Sequence, residues 1–322
     1  MENVNQQTKP KFINIRGALL GEFGLLFFLL GLIVFFSFAS PYFLKFGNLI
    51  NMLVSISILG ILSTAMTTCI IVRGPDLSVS AIVAMVGCVQ SKIVVETGLP
   101  WYVGILVSLL VGLIVGYLNG LIIVKFSLPP LIVTLGMMNV VRGLCYVLTD
   151  GKSTFIREPH LTFLGRETIG GFPLSVLIML ACFALFEFIT KKTVFGRQVF
   201  ASGGNRIAAR LAGINVNRVV IGVFTISSVM ATLTGMVMVG IGGTALPSMG
   251  ESYGIDAITT VLLGGTSLEG GAGSVAKTLS GLVIIGVLNN GMTLMNVPSY
   301  WQITAKGALL LAAIIFDKVR NR

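Results

Sequence analysis

Apolar residues run along this chain in long blocks, broken by short polar or glycine-containing stretches. A helix needs about 20 predominantly apolar residues to cross the hydrocarbon core of a bilayer. Blocks near residues 18–40, 49–72, 78–95, 101–124, 131–148, 173–190, 219–245, 254–266, 274–292 and 300–316 meet or approach that length. The pattern predicts an all-α polytopic membrane protein with about ten transmembrane helices. The eighth block is too short to cross alone. It must be tilted, broken, or continued through the following "LGGTSLEGGAGSV", where irregular backbone is tolerated only inside protein or a water-filled cavity.

One break, "RGPD" at residues 73–76, sets charges between two apolar blocks. A charge at the bilayer centre costs about 2.5–3.5 kcal/mol on insertion scales, so such a cluster lies at a surface or serves a purpose. Pro75 disfavours helical geometry at Gly74, which ends the second span there. Asp76 and Ser78 can then cap the third helix. A transport role for Asp76 stands beside the capping role. Arg73 either anchors the helix end to lipid headgroups or pairs with Asp76.

Composition agrees with the block pattern: 55% of the 322 residues are hydrophobic and only 11% charged, with mean hydropathy +0.95, which excludes a soluble fold. The formal net charge of +10 does not point to nucleic acid, because the basic residues flank apolar spans. Residues 191–218 carry Lys191, Lys192, Arg197, Arg206, Arg210 and Arg218 with no acid, and both termini are basic. The 149–172 loop instead balances Lys152, Arg157 and Arg166 against Asp150, Glu158 and Glu167. This asymmetry predicts a cytoplasmic tail at 1–17, a membrane domain at 18–316 with a cytoplasmic loop at 191–218, and a cytoplasmic tail at 317–322. The first apolar block is too long for a signal peptide and lacks a small-residue cleavage site, so it is read as a retained helix.

The spans hold little that could do covalent chemistry. Cys69, Cys88, Cys145 and Cys182 lie in apolar stretches without CxxC spacing, which suggests reduced thiols and no metal site. His160, the only histidine, lies in the balanced loop without visible partners. "DGKST" at 150–154 resembles the tail of a phosphate-binding loop, but Tyr146 occupies the place of the required first glycine. Any ATP chemistry must therefore reside in another chain.

The basic loop is more informative. In "FASGGNRIAARLAGINVNR", residues 200–218, Asn205 can cap a short helix that Gly213 closes. Such a helix could lie on lipid headgroups. Its small residues, Ala208, Ala209 and Ala212, suit close contact with a protein instead. Asn119, Thr134, Asn139 and Arg142 are polar positions within the fourth and fifth spans, able to join helices or to line a pathway.

Ala208 and Ala209, separated from Gly213 by three residues, resemble the coupling-loop motif of ABC importer permeases, and "GGNRIAARLAGINV" is similar to that of the ribose-type sugar permeases. "RGPDLSVS", "NGLIIVKFSLPPLIVTLGMMNVVRGL" and "LLGGTSLEGGAGSV" resemble further family segments in the same order. Ile207 stands where an acidic residue is usual, and Pro75, Ser80 and Leu131 also depart from the pattern. The resemblance implies the type II ABC importer permease fold and import of a monosaccharide. Two permease chains, identical or different, would form the pathway, and separate ATPase subunits would hold ATP and Mg. An extracellular or periplasmic binding protein would deliver the sugar to this bacterial plasma-membrane complex. Gly204, Asn205, Arg206, Ala208, Ala209, Arg210, Leu211 and Gly213 would contact the ATPase. Asp76, Ser78, Asn119, Thr134, Asn139 and Arg142 would serve the pathway or its gating. The rival readings are a stand-alone ion-coupled transporter with broken helices and a branched-chain amino-acid ABC permease.

Overall fold

A computed structural model describes residues 15–320; parts of both expected tails, 1–14 and 321–322, lie outside the described residues. Each of the ten apolar blocks holds one helix. The first five are α1 (Ile15–Ala39), α2 (Phe46–Ile71), α3 (Val79–Gln90, continued by a π-helical turn Ser91–Glu96), α4 (Trp101–Lys125) and α5 (Pro130–Thr149). A short α6 (Pro159–Arg166) precedes α7 (Leu174–Lys192), and two small helices follow it, α8 (Val194–Gly204) and α9 (Arg206–Leu211). The last four are α10 (Val216–Gly242), α11 (Tyr253–Leu263), α12 (Val275–Leu294) and α13 (Ser299–Arg320). Seven helices among the described residues are long and apolar enough to cross a membrane; α1, α11 and α13 supply shorter apolar segments.

Helix α2 is the axis of the bundle. Every residue from Ile56 to Ile71 is buried, packed among α7, α10, α11 and α12. Helices α4 and α10 approach most closely because Gly112, Gly116 and Gly120 repeat at four-residue spacing on the shared face. A Cβ at any of them would collide with Thr232, Phe224 or Ile221 of α10. Small residues at such spacing let backbones touch where lipid offers no hydrophobic drive.

The short eighth block resolves as a half-helix. Helix α11 has 11 residues and stops at a Gly264–Gly265 turn, with Gly265 left-handed at φ 82°. An irregular strap, residues 243–252, leads into it through a two-residue strand and successive turns. Its polar backbone is satisfied by neighbours: Thr154–Phe155 pairs antiparallel with Thr244–Ala245, and Ile156 N donates to Gly243 O at 2.9 Å. The Arg142 guanidinium donates to the carbonyls of Pro247 and, at 2.9 Å, Met249. Irregular backbone is thus held inside protein, as a membrane-embedded segment requires.

Candidate coupling surface and buried polar cluster

The residues that interrupt α2 build the centre of one end of the bundle, here called the basic end because it carries the 191–218 segment. Arg73 N donates to Ile70 O at 2.9 Å and Gly74 N to Cys69 O at 2.8 Å, the paired closure of a Schellman motif. Arg73 occupies its left-handed position at φ 64°, a conformation that costs a non-glycine residue about 1–2 kcal/mol. Its side chain turns away from Asp76. Nε donates to Gly203 O at 2.7 Å and Nη2 to Gly204 O at 2.8 Å. The expected pairing with Asp76 is therefore corrected: the left-handed turn delivers the guanidinium to the last carbonyls of α8.

Immediately beyond those carbonyls Asn205 caps α9, with Oδ1 accepting from Ile207 N and Ala208 N, both at 3.0 Å. Gly213 is left-handed at φ 82° and closes the helix with a second Schellman pair, Gly213 N to Arg210 O and Ile214 N to Ala209 O, each 3.0 Å. The helix presents an apolar ridge to the outside: Ile207 is 72% and Leu211 86% exposed. Ala208, Ala212, Gly204, Arg206 and Arg210 are also exposed. Ala209 is not. Only 4% exposed, it joins Ile123, Val133, Val216, Val220 and Phe224 in a buried apolar cluster. The small residues thus split by role, Ala209 seating the helix on its own chain while its neighbours face outward. Partial desolvation of its guanidinium, then repulsion from Arg73 and Arg210, lowers the pKa of Arg206.

The expected pathway residues separate into three places. Asp76 is wholly buried; Oδ1 accepts from Ser78 N at 3.0 Å and Ser78 Oγ at 2.6 Å, and Oδ2 from Ser227 Oγ at 3.0 Å. Asn119 Nδ2 donates to Ser78 Oγ at 2.8 Å, and Thr134 Oγ1 to Pro75 O at 3.4 Å. These four residues and Ser227 knot the α2–α3 break to α4, α5 and α10. The expected side-chain capping of α3 is corrected: Asp76 Oδ1 takes the N–H and hydroxyl of Ser78, the residue before the helix, and neither side chain bonds an N–H of α3 itself. Arg142 holds the strap and, through Nη2, Ser80 O at 3.0 Å. Asn139 stands apart, exposed on a face of α5 where Gly136 and Gly143 also have open space.

Two further polar residues escaped the sequence reading. Ser227 lies 151 positions from Asp76, and no local pattern signals the contact. Lys306 did carry a signal, a lone cation inside the last apolar block, which demands a partner. That partner is Asp256, 2.7 Å away. Beside the pair lies a cavity of about 190 Å³ lined by Ser55, Tyr253, Asp256, Asn289, Asn290 and Thr293 among others. The four cysteines are free and buried, and His160, exposed, stacks on Trp101 with ring centroids 4.7 Å apart.

The fold defines a multi-pass α-helical membrane protein. The chain belongs to the family described as branched-chain amino acid transport system / permease component, whose model matches residues 48–314. It is similar to the ribose import permease protein RbsC of Bacillus subtilis (strain 168), 37% identical over 325 residues covering 100% of both chains. It also resembles the RbsC of Escherichia coli (strain K12), 38% identical over 299 residues, 91% of this chain and 92% of that one. The L-arabinose transport system permease protein AraH of Escherichia coli (strain K12) is 33% identical over 313 residues, 97% of this chain and 95% of that one. No solved structure matches the chain significantly.

Proposed function

We propose that this chain is the membrane-spanning subunit of an ATP-driven importer of a monosaccharide of the ribose or arabinose kind. It lies in the bacterial plasma membrane with the basic end and both termini in the cytoplasm. The observation that carries the coupling role is α9, a capped helix projecting from the basic end with Ile207 and Leu211 bare. Two large apolar side chains on a six-residue helix find burial against a partner, here a separate ATPase subunit that holds ATP and Mg. A second permease chain would cover the α5 face around Asn139, since an exposed amide in a span is costly against lipid. A binding protein would present the sugar at the opposite end. The names of the full-length relatives support the sugar.

The experiment is reconstitution in liposomes with the cognate ATPase and binding protein, measuring uptake of labelled ribose, arabinose and leucine. ATP-dependent uptake of a pentose supports the reading; uptake of leucine alone favours the amino-acid alternative. Uptake without any ATPase would favour an ion-coupled transporter. Orientation is read separately by labelling Leu211→Cys in intact cells, where reaction with an impermeant reagent would place the basic end outside.

A further inference from the structure

Three chain segments meet at the end of α2, backbone against backbone. Gly203 lies so close to the Ile71 carbonyl that a Cβ there would collide with it. Gly271 N donates to the same carbonyl at 2.9 Å, and a Cβ on Gly271 would strike Gly204. A Cβ on Gly270 would strike the Arg73 side chain. The end of α8, the glycine-rich 264–274 loop and the turn after α2 therefore share one junction, and the absence of side chains allows it.

Arg73 is the side chain that grips this junction. Gly203 and Gly204 are in the last turn of α8, where carbonyls lack intrahelical partners and carry the negative end of the helix dipole. The guanidinium satisfies both, immediately before the Asn205 cap of α9. The grip is returned from the other side, with Arg206 Nη2 donating to Val72 O at 3.3 Å. Glycine is the residue preferred at the left-handed position that Arg73 fills. An arginine kept there against its backbone preference points to work done by its side chain.

The same turn leads without slack to the buried cluster. A Cβ on Gly74 would press on the Phe224 ring of α10, Pro75 has a fixed φ, and Asp76 is held through both carboxylate oxygens. We infer that Arg73 is a positioning residue that transmits displacement of α9 to the α2–α3 break, linking events at the partner ATPase to rearrangement among α3, α4 and α10. The inference rests on the coupling function proposed above.

The test compares the unmodified chain, Arg73→Gly and Arg73→Lys, each reconstituted with ATPase and binding protein, measuring ATP hydrolysis and sugar uptake in the same vesicles. Arg73→Gly keeps the left-handed turn and removes the whole side chain, the guanidinium together with the stem that lies against Gly270. Its complex should assemble and hydrolyse ATP, while sugar moved per ATP falls by about tenfold or more, the effect of losing a charge-assisted hydrogen bond or two. Arg73→Lys, with one donor centre in place of the fork, should recover part of that ratio. A ratio within twofold of the unmodified chain in Arg73→Gly would overturn the inference. So would loss of ATPase binding in both variants, which would reduce Arg73 to a seat for α9. Absence of ATP-driven uptake in the unmodified chain would instead overturn the coupling function, and the inference with it.

Discussion

The Lys306 ammonium of α13 lies 2.7 Å from an Asp256 carboxylate oxygen of α11, with the two side chains 16% and 7% exposed. Ser252 Oγ donates to the same carboxylate at 3.1 Å. Helix α11 spans only half the bundle, so this pair fastens it sideways to α13. Removing one partner from a buried ion pair leaves an uncompensated charge and costs about 3–5 kcal/mol. Lys306→Met is therefore expected to lower the unfolding temperature of the detergent-purified chain strongly. The double variant Lys306→Met, Asp256→Asn should recover most of the loss, because neither charge then remains buried. Equal instability of single and double variants would show that the pair acts through something other than charge compensation.

Asp76 makes a different demand, for acceptors more than for charge. Asp76→Asn retains an oxygen for the Ser78 donors and can turn its amide toward Ser227, at a cost of less than about 1 kcal/mol. Asp76→Ala leaves three donors in a buried site, each unmet donor costing about 1–3 kcal/mol. The expected outcome is near-normal membrane yield and uptake for Asn and poor yield for Ala, measured by fluorescence-detected size exclusion and transport. An Asn variant that assembles fully but does not transport would move Asp76 from the architecture to the gate.

Arg142 is expected to behave as part of the strap and not as a sugar contact. It donates to Pro247, Met249 and Ser80 carbonyls, so Arg142→Met should cost at least about 1–3 kcal/mol through the acceptors it strands. Hydrogen exchange should quicken across residues 243–252 while the apparent sugar affinity of complexes that do assemble stays unchanged. A selective loss of affinity with the strap still protected would return Arg142 to the pathway.

Which features were legible in the sequence follows from the range of the interactions. The ten helices, the Gly74–Pro75 break, the Asn205 cap and the closing Gly213 depend on a few neighbouring residues, and all are where the sequence places them. Helix α8 was missed because "VFGRQVFASGG" contains three glycines; it holds through the Thr193 cap, whose Oγ1 accepts from Gly196 N at 3.1 Å, and through Arg73, 130 positions away. The face of α9 that is buried could not be read either. Six residues are too short for a periodic stripe, so Ala208 and Ala209 look alike in sequence and differ only once Phe224 and Val220 are packed beneath one of them.

That difference yields the sharpest prediction for the coupling surface. Ala209→Trp forces a large ring into a filled apolar cluster, at a cost of about 1–3 kcal/mol or more, and should unseat α9 from its own chain. It would thus lower stability as well as ATPase binding. Ile207→Ser with Leu211→Ser alters only exposed side chains and should leave the melting temperature within about 1 °C, since surface changes away from special features are nearly neutral. If these two residues are the ridge that the ATPase covers, each loses about 1.5–3 kcal/mol of burial, and co-purification with the ATPase should fail together with uptake. Separate measurement of melting and co-purification distinguishes the two effects. A double-serine chain that keeps its ATPase and its transport would remove the apolar ridge from the interface and leave Arg206, Ala208 and Arg210 to carry it.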